Sequence, residues 1–84
     1  MTKRYLDCIF TTAQETTRYE KIVSVTLPAL FGEMQFLPGA GEAFSLLQAG
    51  NVILQRVGMS SLSISISDGA CHMCNDRIVV FYKE

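Results

Sequence analysis

The side chains best suited to chemistry in this sequence are three cysteines and one histidine, and three of these four stand together in Cys71-His72-Met73-Cys74. A C-x-x-C spacing can bind zinc or run thiol exchange. Zinc needs four ligands, and the chain offers only Cys8, Cys71, Cys74 and His72. On a strand, Cys71 and His72 point to opposite faces, which keeps them from sharing one metal easily. A redox C-x-x-C belongs at a helix N-terminus in an α/β unit, and no such unit reads from the sequence. The run is therefore expected to fill space in a strand; a small metal or thiol-redox protein using Cys71 and Cys74 is the alternative. No catalytic set assembles. His72 is the only histidine, and nothing fixes a serine and a carboxylate beside it as a triad requires. The eight carboxylates scatter over turns and ends, without the paired acids of a glycosidase. Gly39-Ala40-Gly41 lacks the further glycines, the basic residue and the strand-to-helix setting of a phosphate loop. No enzymatic activity, cofactor or metal is expected.

Whatever this chain does depends on the body that carries these residues. Its 84 residues hold one domain, 1–84. With 49% hydrophobic and 18% charged residues, it has the material for a single core and is not intrinsically disordered. Seven Lys and Arg against eight Asp and Glu leave a net charge of -1, without the basic stripe of a nucleic-acid binder. Lys3 and Arg4 do not open a signal peptide, because Asp7 interrupts the segment and Thr11 to Glu20 is polar. No run approaches the ~18 consecutive apolar residues of a membrane span. Three cysteines form no even framework, so a reducing, cytoplasmic compartment is the expectation.

The dominant pattern is period two, the mark of strands with one buried face. It is cleanest in Leu62-Ser63-Ile64-Ser65-Ile66-Ser67, and it recurs in Val23, Val25 and Leu27, in Met34 and Phe36, in Val52 and Leu54, and in Cys8 and Phe10. The closing run Ile78-Val79-Val80-Phe81-Tyr82 is apolar on both faces. Turn chemistry separates the runs. Pro38-Gly39 suits the centre of a type II turn, and Cys74-Asn75-Asp76-Arg77 can reverse the final hairpin. Gly32, Gly50, Gly58 and Asp68-Gly69 mark further breaks. The spacing predicts an all-β protein: an antiparallel β-sandwich, flattened and barrel-like, of about eight to ten short strands. Its inner faces are expected to include Val23, Val25, Leu27, Met34, Phe36, Leu62, Ile64 and Ile66. Phe36, Phe44 and Phe81 read as core, and Glu42 to Gln48 is the one segment with a helical pattern, too short to stand alone.

The segment Val25-Thr26-Leu27-Pro28-Ala29-Leu30-Phe31-Gly32-Glu33-Met34-Gln35-Phe36-Leu37-Pro38-Gly39 resembles the N-terminal domain of the epsilon subunit of F-type ATP synthases. That family carries a V-T-L-P-like strand end followed by G-E-x-G-x-L-P-G-H-A-P. The resemblance continues through Gln48-Ala49-Gly50-Asn51-Val52, where the family has K-P-G-x-V or K-P-G-x-I. It extends to Ser67-Asp68-Gly69 for the family's S-G-G, to the last strand from Arg77 to Phe81, and to Tyr5-Leu6-Asp7 for the opening x-L-D strand. Departures are Gln35 for the third glycine of G-E-x-G, Ala40-Gly41-Glu42 for H-A-P, Asp68 for a glycine, and a poor match over Thr11 to Glu20.

The resemblance implies a non-catalytic rotor subunit in the central stalk of a proton-translocating F-type ATP synthase. In that family the sandwich packs against the gamma subunit and rests on the polar loops of the c-ring, so rotation is transmitted without slippage. Carried over residue by residue, it implies Gly32 and Glu33 as c-ring contacts and Gly39, Ala40 and Ser45 as gamma contacts. Ala40 stands where the family commonly has histidine. The implied location is peripheral, on the cytoplasmic face of the energy-transducing membrane, held through the complex alone. Family members usually continue into two C-terminal helices that inhibit ATP hydrolysis. With the last strand directly before Glu84, this chain is expected to couple without that helical brake. A generic β-sandwich interaction module is the remaining alternative.

Overall fold

A computed structural model describes residues 4–83. Eight strands follow one another within them: β1 (Leu6–Thr11), β2 (Thr16–Ala29), β3 (Gly32–Phe36), β4 (Ala43–Leu47), β5 (Gly50–Arg56), β6 (Leu62–Ile66), β7 (Gly69–Cys74) and β8 (Arg77–Tyr82). They are hydrogen-bonded in the order β1-β8-β7-β4-β2-β5-β6, with β3 also on β2 and β1 closing back onto β2. The result is the flattened, barrel-like sandwich that the alternation predicts.

The 14-residue strand β2 makes the two layers possible. Its first half pairs with β1, from Thr11↔Thr16 to Leu6↔Ile22. Its second half pairs with β3 and β5, and Ala29 meets Leu47 of β4. Between the halves lie irregularities in both ladders, and Lys21 adopts a left-handed φ of 58°. Such bulges bend a strand and let it pass from one layer to the other. They also shift the alternation. Ile22 enters the core, Val23 is displaced from it, and the buried Ser24 donates its hydroxyl to Gln55 Oε1 at 2.9 Å. The expected inner position of Val23 is thus corrected by the bulge.

Two further expectations change. Glu42 to Gln48 is not helical: Ala43–Leu47 is strand β4, paired residue for residue with β7. One pair is parallel and not antiparallel, with β1 lying on β8 from Asp7↔Arg77 to Thr11↔Phe81. All the other strands separate these two, so no hairpin dictates their direction. The turns follow the sequence more closely. Gly39 has a φ of 90°, and the Ala40 N–H donates to the Leu37 carbonyl at 3.1 Å, as a type II turn over Pro38-Gly39 requires. Asn75 and Asp76 have φ of 52° and 59°, the signature of a type I′ hairpin turn. Gly69 is required sterically, because a Cβ there would fall on the Phe81 carbonyl.

The core draws on both layers: Leu6, Cys8 and Phe10 of β1, Ile22, Val25 and Leu27 of β2, and Ile78 and Val80 of β8, joined by side chains from β3 to β7. Phe10 meets Tyr19 and Tyr82 edge-on, closing the end where β1, β2 and β8 converge.

Candidate functional site

The strands β4, β7 and β8 carry apolar residues on both faces. Leu47, Cys71, Met73, Ile78 and Val80 face inward and are buried. On the outer face, the register sets Phe44 beside His72 and Val79, and Leu46 beside Ala70 and Phe81. Phe44, Leu46 and Phe81 are 66%, 54% and 49% exposed. The expected core positions of Phe44 and Phe81 are therefore corrected: alternation gives their inner places to their neighbours. The apolar surface continues into the β2–β3 turn. Leu30 and fully exposed Phe31 share an open groove with Phe44, Ser45 and Leu46. That turn is fastened to the end of β4: the Leu30 N–H donates to the Leu46 carbonyl, and the Gln48 N–H to the Pro28 carbonyl at 2.8 Å. A contiguous apolar surface of this kind is what a partner protein covers.

The residues singled out in the sequence fall at the two ends of β4. At one end Gly32 opens β3 opposite Ala29 with a φ of 124°, and exposed Glu33 stands opposite Pro28. The tip itself is Leu30-Phe31, and Glu33 follows it as the second residue of β3. Glu33 makes no ion pair among the described residues and borders a recess with Thr26, Met34 and Gln35. At the other end, Gly39 sits in its turn and Ala40 packs against the core. The five residues of β4 separate the two groups by roughly 17 Å. Ser45 lies between them on the inner side, opposite buried Cys71, while Phe44 and Leu46 flank it on the outer face.

Sequence reasoning missed the residue that organises the Gly39 end. Asp76, at the tip of the β7–β8 hairpin, accepts the Gly39 N–H on Oδ1 at 2.7 Å. Its Oδ2 accepts Arg4 Nε at 3.0 Å and Nη2 at 2.7 Å. The Gly39 amide, and then the Arg4 guanidinium, hold this carboxyl below the usual carboxylate range. The same loop is tied at its far end, where Glu42 Oε2 meets His72 Nε2 at 2.8 Å. Partners so distant in sequence leave no periodic signal. The Asn-Asp pair is legible only as a turn.

The cysteines stand apart. Cys71 points inward and is buried, whereas Cys74 is half-buried and three positions along the same strand, on its opposite face. Burial, followed by the nearby Asp7 charge, pushes the Cys8 thiol up to about 12, and burial also raises that of Cys71. These are conditions for inert, space-filling thiols. Among the described residues no three His, Cys, Asp or Glu side chains gather closely enough to hold a metal ion.

No family model matches the chain, and no curated protein matches it in sequence. Solved structures do match in fold. One is a chain in the cryo-EM structure of the Euglena gracilis mitochondrial ATP synthase (OSCP, F1 and c-ring, rotational state 1), with a TM-score of 0.84 at 18% identity. That match covers 93% of this chain and 50% of the other, so this chain spans half of its neighbour's length. A second is a chain of the Tetrahymena thermophila mitochondrial ATP synthase central stalk and c-ring, with a TM-score of 0.78 at 9% identity, covering 100% of this chain and 67% of that one. The class these data define is a β-sandwich of a fold found in ATP synthase assemblies. At these identities the likeness is one of fold.

Proposed function

We propose that this chain is the β-sandwich of an epsilon-type rotor subunit of a proton-translocating F-type ATP synthase. It is a coupling part and not an enzyme: it clamps the gamma shaft to the c-ring. The observation that carries the reading is the coincidence of two separate likenesses. The landmarks from Leu6-Asp7 to Arg77–Phe81 resemble epsilon in order and spacing, and the fold independently matches chains of ATP synthase assemblies. The outer face of β4, β7 and β8, with Phe44, Leu46 and Phe81, is the gamma-binding side, adjoining Gly39 and Ala40. Ser45, which lines the open groove with Phe44 and Leu46, belongs to the same gamma-binding side. Gly32 and Glu33, at the opposite end of β4, reach the polar loops of the c-ring. The protein sits peripherally on the cytoplasmic face of the energy-transducing membrane, bound through the complex.

The physical fit is that of a stiff spacer. Closure of β1 onto both β2 and β8 leaves little room for the body to shear, and torque passes through packed strands. The test is reconstitution of an F-type enzyme depleted of its epsilon-type subunit, with and without this chain. Restored coupling and co-purification with gamma are the expected result. A chain that neither binds gamma nor restores coupling is a sandwich module of some other assembly.

A further inference from the structure

We propose that Asp76 is a positioning residue for partner docking: its carboxylate sets the place of the Pro38–Gly39 turn, and through it the approach to Ala40 and Phe44. The inference rests on the docking reading above. The first observation is local. Asp76 occupies the second central position of a type I′ turn with φ of 59°, a place where glycine is the favoured residue. Asp is among the few residues with a side chain that this backbone readily accepts, so the turn can carry a carboxylate at the hairpin tip. The second observation is what the side chain grips. Its two oxygens hold the Gly39 amide and the Arg4 guanidinium, partners 37 and 72 positions away. The Asp76 carbonyl accepts the Asp7 N–H at 3.0 Å, anchoring the hairpin tip to β1. Arg4 lies over Gly39, with Nη1 3.4 Å from where a Cβ would stand.

The loop from Leu37 to Glu42 therefore has two fastenings, Asp76 at the turn and His72 at Glu42. Between them, among the described residues, the turn's own Ala40–Leu37 hydrogen bond and the packing of Ala40 hold it. Without the Asp76 grip, the turn samples other positions, and docking must first select the right one. If the competent position falls to about a tenth of the population, the apparent Kd for gamma rises about tenfold.

The decisive variant is Asp76→Gly. It turns Asn75-Asp76 into an Asn-Gly pair that favours the same hairpin turn, while removing the carboxylate. Asp76→Asn keeps one acceptor for the Gly39 amide but loses the charge facing Arg4. The measurements, on the full chain, are denaturant stability, hydrogen exchange at the Gly39 amide, and affinity for the gamma subunit. For Asp76→Gly the expected result is near-native stability, faster Gly39 exchange, and about tenfold weaker gamma binding. Asp76→Asn falls between it and the native chain. Arg4→Gln combined with Asp76→Gly should weaken binding no further than Asp76→Gly alone, because both act through one grip. Native chain that binds gamma while Asp76→Gly binds equally well, with Gly39 exchange accelerated, overturns this inference alone. Native chain that does not bind gamma overturns the docking reading and this inference with it.

Discussion

The layer made by β4, β7 and β8 has two apolar faces with opposite surroundings. Inside, Leu47, Met73, Ile78 and Val80 are buried to 3% exposure or less. Outside, Phe44, Leu46 and Phe81 remain at least 49% exposed. Both sets alternate along the same strands and are of similar hydrophobicity, so composition does not separate them. The difference lies in what covers them. The inner set is covered by this chain's own second layer. The outer set lacks a cover among the described residues. Hydrophobicity on the inner face stabilises the fold; on the outer face it is left for the proposed docking.

The sharpest way to break that comparison is to truncate one residue on each face. Ile78→Ala removes a fully buried side chain packed between layers and should cost about 2–5 kcal/mol in chemical denaturation. Phe44→Ser removes a larger side chain from the outer face, yet should change stability by no more than ~0.5 kcal/mol. Its effect should appear in gamma binding, where loss of an aromatic anchor costs about 2 kcal/mol or more, some thirtyfold in Kd. Equal effects of both substitutions on stability would show that the outer face is not a free surface.

How much of this was readable from the sequence follows from the same contrast. Strands with one wet face announce themselves. The Ser-Ile alternation of β6 and the Val52-Leu54 pair of β5 gave their orientation directly, and Ile66, Val52 and Leu54 are buried as expected. Strands apolar on both sides do not. Ala43-Phe44-Ser45-Leu46-Leu47 has no clean period of two, so β4 shows only a short helical pattern, and Phe44 and Phe81 read as core. A bulge is equally invisible: Val23 keeps perfect alternation with Val25 in sequence, and only the irregular ladder around Lys21 to Ser24 shows that the chain slips there. The turns that carry Gly32 and Pro38-Gly39 were legible from local turn chemistry. The Arg4–Asp76–Gly39 contacts were not, since nothing local joins residues so far apart.

A second, smaller prediction sharpens the contrast through the thiols. Cys8 on the inner side keeps its proton up to about pH 12, against an ordinary value of 9.0. Below pH 9 both folded and unfolded chains hold this proton. Above it the unfolded chain ionises while the folded chain does not, so the Cys8 contribution to stability is lost as pH rises toward 12. The difference in stability between the native chain and Cys8→Ala should therefore shrink with rising pH above 9. At neutral pH a thiol reagent should label half-buried Cys74 first, and Cys8 and Cys71 only as the protein unfolds. Rapid labelling of Cys8 in the folded chain would contradict its place inside.

The smallest expected effect, and the most selective, is at Glu33. Its carboxylate is exposed, stands beside the apolar tip Leu30-Phe31, and is unpaired by any salt bridge among the described residues. Reversing the charge with Glu33→Lys should leave the fold within ~0.5 kcal/mol of native stability, because no internal pair is broken. A rim contact between this carboxylate and a basic or amide-bearing c-ring loop contributes only ~0–1 kcal/mol, and salt screens it. Its value is in register. In the proposed docking, a charge at the start of β3 would favour one orientation of this end against the ring. In a reconstituted enzyme, Glu33→Lys should therefore lower coupling, measured as proton pumping per ATP hydrolysed, while gamma binding stays unchanged. The defect should lessen as ionic strength rises, since the new lysine then repels the ring loop less. The two ends of β4 would in this way be separable, one serving the shaft and the other the ring. A Glu33→Lys chain that loses gamma binding and coupling together would mean that both ends belong to a single contact.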